Sequence, residues 1–129
     1  MNSLVALLVI LFVLVFVLVL IAHKTKPKMN KTYFIKHWKA IELQKNYSTA
    51  VLKADSLMDE SMKRIGVKGG TTGERINNAV GYLSNINGTW DAHKLRNKIA
   101  HEHNSEPSED ECKKALRQFK KALKDLGAL

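Results

Sequence analysis

The sequence predicts an all-α fold: an N-terminal transmembrane helix followed by a small four-helix bundle. Three observations predict it. From Leu4 to Ala22 the chain runs through nineteen consecutive Leu, Val, Ile, Phe or Ala residues without a polar interruption. Further on, apolar residues recur at three- and four-residue spacing, the period of one helical face. No segment alternates apolar and polar residues as a half-buried strand does.

As a helix rising ~1.5 Å per residue, the apolar run reaches about 28 Å, close to a hydrocarbon core of roughly 30 Å. A cleaved signal peptide would carry a basic n-region, a shorter apolar run and a small-x-small cleavage site. Met1, Asn2 and Ser3 include no Lys or Arg, and Ala22-His23-Lys24 offers no such site. A buried core helix would have a polar side toward solvent, and this run has none. Lys24, Lys26, Lys28, Lys31, Lys36 and Lys39 all precede the first acidic residue, Glu42. Positive charge is retained on the cytoplasmic side. The expectation is a single-pass protein of the cell membrane with its N-terminus outside and its C-terminal domain cytoplasmic, Lys24, Lys26, Lys28 and Lys31 resting on the membrane surface. These six lysines supply most of the formal +9 charge and leave +3 for residues 40–129, so the basic balance needs no nucleic acid to explain it. The lone Cys112 excludes an internal disulfide and suits a reducing compartment. On that topology the sequons at Asn30, Asn46 and Asn87 carry no sugar. The chain divides into an anchor (1–23), a basic juxtamembrane stalk or start of a long helix (24–46) and one helical domain (47–129), which is enough for one small core but not two.

After Pro27, a long helix is expected over residues 32–65, with Tyr47, Val51, Ala54, Met58, Met62 and Ile65 on its buried face. Residues 66–73 contain four glycines but lack the Gly-Lys-Ser/Thr ending of a phosphate-binding loop, and read as an interhelical connection. A second helix is expected over 72–85, burying Ile76, Val80 and Leu83. An Asn87-Gly88 turn follows, and Thr89 caps a third helix over 90–102. The last helix begins where Ser108 stands three residues before Glu111, just after Pro107. Its core face is Cys112, Ala115, Leu116, Phe119, Ala122, Leu123 and Leu126, with lysines and Arg117 elsewhere.

The third of these helices holds the densest polar cluster: His93, Lys94, Arg96, Asn97, Lys98, His101, Glu102 and His103. The stretch Ala92-His93-Lys94-Leu95-Arg96-Asn97-Lys98-Ile99-Ala100-His101-Glu102 resembles the signature of the HEPN superfamily, in which an Arg is followed by a polar residue and, four to six positions after the Arg, a His. Arg96, Asn97 and His101 occupy those positions. The resemblance covers about residues 47–127 and includes the order of helices. It implies a metal-independent endoribonuclease, commonly a homodimer whose motif helices meet in one cleft, giving 2′,3′-cyclic phosphate and 5′-hydroxyl ends. On that reading His101 is the general base, Arg96 neutralises the phosphoryl oxygens, and Asn97 orients His101 or binds phosphate. Lys94, Lys98 and His93 are the accompanying RNA-binding residues.

Helical geometry sets a condition. Five residues at about 100° each place Arg96 and His101 roughly 140° apart. Lys94, Asn97 and His101 share a face, whereas Arg96 borders the apolar side of Ala92, Leu95 and Ile99. A kink, a long reach by Arg96, or a two-fold partner is needed to complete the site. The plain alternative pairs Arg96 with an acidic residue of a neighbouring helix and leaves His101 at the surface. No cofactor or metal is expected: His101-Glu102-His103 is not His-Glu-x-x-His, and Cys112 falls on an apolar face. Trp90 and Phe119 read as packing residues. The expected function is a membrane-anchored domain that binds RNA and, as an enzyme, cuts it. A non-catalytic protein-interaction module at the membrane is the alternative, and a lipid-surface adaptor is a third class. The expected partners are the membrane, a second copy, RNA, and a protein partner or neutralising antitoxin.

Overall fold

A computed structural model describes residues 2–24, 29–104 and 106–129. Six helices account for its regular structure, and no strand occurs among the described residues. The first, α1 (Asn2–Lys24), is an apolar helix left exposed by the described residues: Leu4 is 69% and Phe12 72% exposed, and none of its spanning stretch is buried. It is long and apolar enough to cross a membrane.

Residues 31–64, expected as part of one long helix, form two. Asn30 caps α2 (Lys31–Glu42), its side chain accepting from the Tyr33 backbone N–H at 3.2 Å. Phe34, Trp38 and Ile41, spaced by four and three, turn inward onto the next helix. The chain then breaks, because Asn46 caps α3 (Tyr47–Arg64) by accepting from Thr49 N–H at 2.9 Å. Residues 31–42 therefore supply part of the same core as residues 47–129. Gly66, at φ +87°, terminates α3: its N–H reaches the Lys63 carbonyl, and Val67 N–H reaches that of Met62. These two bonds make a Schellman closure.

The expected second helix is shorter than its periodicity suggested. Thr71 caps α4 (Thr72–Asn78), which ends at Ala79. Leu83 is buried as expected, but Val80 is 60% exposed because it lies beyond the helix end, where helical spacing no longer applies. The third helix starts earlier. Asn85 caps α5 (Ile86–His101) by accepting from Gly88 N–H, so Asn87 and Gly88 lie in the first turn and Thr89 is inside the helix. Gly88 lies against Gln118, which accepts from the Asn85 amide at 3.1 Å, and a Cβ there would collide with both side chains.

The closing helix α6 (Glu109–Asp125) starts with the reciprocal capping box of Ser108 and Glu111 at 3.2 and 2.8 Å. It packs against α3 and α5, α2 covers another side of α3, and α4 bridges α3 and α5. Phe34, Phe119, Met58 and Met62 are fully buried at the centre, each contributing about 2–3 kcal/mol of apolar burial.

Candidate functional site

The polar cluster of α5 is organised from α3. Asp55 occupies the inward face of α3 among Val51, Ala54 and Met58 and is only 2% exposed. A carboxylate so buried requires charge and hydrogen-bond partners, and α5 supplies them. Asp55 Oδ1 lies 2.7 Å from His93 Nδ1, and Oδ2 lies 3.4 Å from Arg96 Nε. The second contact is an ion pair without hydrogen-bond geometry, which leaves the buried Arg96 N–H without a directed acceptor.

Asn97 closes the ring. Arg96 Nη1 donates to Asn97 Oδ1 at 3.0 Å, which turns the Asn97 amide nitrogen toward His93 Nε2 at 3.4 Å. An amide donor at Nε2 assigns the imidazole proton to Nδ1, where it is donated to Asp55. His93 is 7% exposed and meets the Trp90 ring edge-on at 5.7 Å. The Trp90 indole N–H is in turn donated to Asn77 at 3.2 Å. Gly73 of α4 permits this approach, since a Cβ there would stand 3.0 Å from the Trp90 ring.

Arg96 keeps about a third of its side chain exposed. It borders a cleft of about 440 Å³ shared with Asp55, Ser56, Asp59, Glu60, Lys63 and Thr72. The carboxylates of this cleft are paired. Asp59 accepts from Arg75 at 2.6 and 3.1 Å and from Lys63 at 2.9 Å, and Arg75 also donates to the Gly69 carbonyl. Burial alone would raise the Asp59 carboxyl, but hydrogen bonds from Arg75, Lys63 and Thr72 outweigh it and hold the group below the ordinary carboxylate value. Glu60 accepts from Arg64 at 3.0 Å and from the Tyr33 hydroxyl at 3.1 Å, which raises the phenol pKa.

The structure thus brings His93, Arg96 and Asn97 together and leaves His101 outside their network, exposed on the last turn of α5. Lys94 is exposed beside Trp90, Asp91 and Asn87, and Lys98 is half-buried on the side facing Glu111. Lys31 opens α2 at the surface. Lys26, Lys28 and the side chain of Lys24 lie outside the described residues. Among the described residues no group of three or more His, Cys, Asp or Glu side chains is arranged to hold a metal ion. Cys112 is buried, and burial pushes its thiol up.

Sequence reasoning missed Asp55, Asp59 and Arg75. The signal for Asp55 was present: it lies four residues after Val51 and three before Met58, a carboxylate within the apolar row of α3. Comparison of the chain with protein-family models, curated proteins and solved structures found no match.

Proposed function

We propose that this chain is a membrane-anchored HEPN-type domain that binds RNA through α5 and cuts it without a metal when two copies combine. The observation that carries this reading is the preorganised Arg96. Asp55 faces its Nε side as an ion pair and Asn97 accepts from one Nη, while Arg96 borders an open cleft. A cation fixed in this way can meet a phosphate without ordering a long side chain at the moment of binding. Lys94 on the exposed side of the same helix extends the cationic surface. His101 of a second copy takes the ribose 2′-hydroxyl proton, the 2′-oxygen bonds to phosphorus, and the P–O5′ bond breaks. The products are a 2′,3′-cyclic phosphate and a 5′-oxygen that water protonates.

In this reading α1 crosses the membrane and the lysines that follow it keep residues 24–129 on the cytoplasmic side, where RNA is available. The uncovered apolar surface of α1 and the charge of its flank support that topology.

The test is cleavage of single-stranded RNA by the full chain in lipid nanodiscs containing EDTA. Arg96→Ala and His101→Ala are each expected to abolish cutting with the helical signal intact, and equal cutting by either variant overturns the enzyme. One observation favours a second reading, a non-catalytic interaction module: Arg96 already has an internal partner in Asp55, and His101 stands apart. Under that reading RNA remains uncut at every protein density, and exposed α5 residues such as Lys94 govern capture of a protein partner.

A further inference from the structure

The helix that follows the anchor has two unlike sides. Phe34, Trp38 and Ile41 of α2 face the core. At about 100° per residue, Thr32, Lys36, Lys39 and Leu43 project from the opposite side, with Ile35 at its margin. All five are exposed, Leu43 by 82% and Ile35 by 40%, and they line one shallow apolar depression together with Ala40.

Charge on this helix is also one-sided. Glu42 is the only acidic residue of α2, and it is drawn to the other side by the Trp38 indole N–H at 2.7 Å and Lys120 at 3.0 Å. Lys31, Lys36 and Lys39 form no ion pair among the described residues. An outer surface of exposed ammonium groups around a bulky apolar side chain matches the boundary between anionic headgroups and acyl chains. Chain reach brings that boundary close. Seven residues from Lys24 to Lys31 span at most about 25 Å when fully extended.

We infer that the outer face of α2 lies on the anionic surface of the membrane that α1 enters, with Leu43 and Ile35 at the acyl boundary and Lys36 and Lys39 against lipid phosphates. This rests on α1 being a membrane span. It adds a second attachment that fixes how the domain sits on the bilayer instead of leaving it on a free tether.

Nitroxide labels on Leu43→Cys and Ile35→Cys test it in the full chain, since Cys112 is buried. The reference label is Val80→Cys, a 60% exposed position beyond α4. In nanodiscs of phosphatidylcholine with about one-third phosphatidylserine, labels at positions 35 and 43 are expected to lose roughly threefold of their accessibility to an aqueous nickel chelate, relative to phosphatidylcholine alone. The label at position 80 should not change. Lys36→Glu with Lys39→Glu should restore the accessibility. If the chain enters the nanodisc and positions 35 and 43 stay as wet as position 80, the α2 contact is wrong while the anchor stands. A chain that never enters the nanodisc defeats both. Protection that is equal in neutral lipid, or that grows with the number of chains per disc, assigns the face to another occupant and overturns the inference.

Discussion

Asp55 ties α3 to two side chains of the motif helix. It holds His93 and Arg96 at once while itself buried. Removing one member of such a group leaves the others desolvated and unpaired, and Asp55→Ala is expected to cost about 3 kcal/mol. Asp55→Asn, which keeps an oxygen for His93 but removes the charge facing Arg96, should cost less. Thermal unfolding of the two variants beside wild type checks the order, and an unchanged melting temperature for Asp55→Ala would show that the network carries no stability. Asp59 gives a prediction in pH. Its unfolded carboxyl titrates near 3.8 and its folded one lower, so between the two values the unfolded chain binds the extra proton. The stability it contributes is fully present above the unfolded value and is lost as pH falls through the folded one. Acid titration of Asp59→Asn should therefore show a shallower loss of stability below about pH 4 than wild type. An identical acid limb would mean that the Arg75 pairing is energetically silent.

At the scale of helices, periodicity found the buried faces of α3 and α6 but ran past the ends of α2 and α4, and capping chemistry placed the start of α6 but set that of α5 at Thr89 instead of Asn85. Ser108 and Glu111 announced α6, and both reciprocal bonds form. Ser108→Ala is expected to lower stability by about 1 kcal/mol, read as a reduced urea midpoint at unchanged slope. A change below a few tenths would show that acidic residues in the first turn suffice to hold that end. The break between α2 and α3 was signalled in the same language, by Asn46 three residues before Thr49, but the apolar rows on either side masked it. Asn87-Gly88 reads as a turn in isolation. It became helix because the cap is Asn85, one helical turn before Thr89, and Gln118 of α6 needs the room that Gly88 leaves. The candidate site was legible by half for a related reason. Arg96, Asn97 and His93 stand out as a polar cluster, and Asp55 stands out as a carboxylate in an apolar row. That they meet depends on the register of α3 against α5, which no local pattern encodes.

For the whole molecule the decisive quantity is how many chains make one site. Within one copy, Arg96 joins Asp55 and Asn97 while His101 lies on the exposed last turn, so the proposed chemistry draws its cation and its base from different copies. A shared membrane favours that pairing, because confinement raises the effective concentration of one chain around another. Subunit mixing tests the arrangement directly. Arg96→Ala and His101→Ala chains, each inactive alone, are reconstituted together into the same liposomes and offered RNA in EDTA. Random pairing makes half of the two-fold dimers mixed, and each mixed dimer holds one intact composite site of two, so about one quarter of wild-type activity should return. Composite sites require this recovery to disappear when the two variants are placed in separate vesicles. If wild type cuts RNA and the mixture does not, both groups act from the same chain, and α5 must then bend to bring His101 round to Arg96. If wild type does not cut at any surface density, Arg96 serves Asp55 alone and the domain acts by binding.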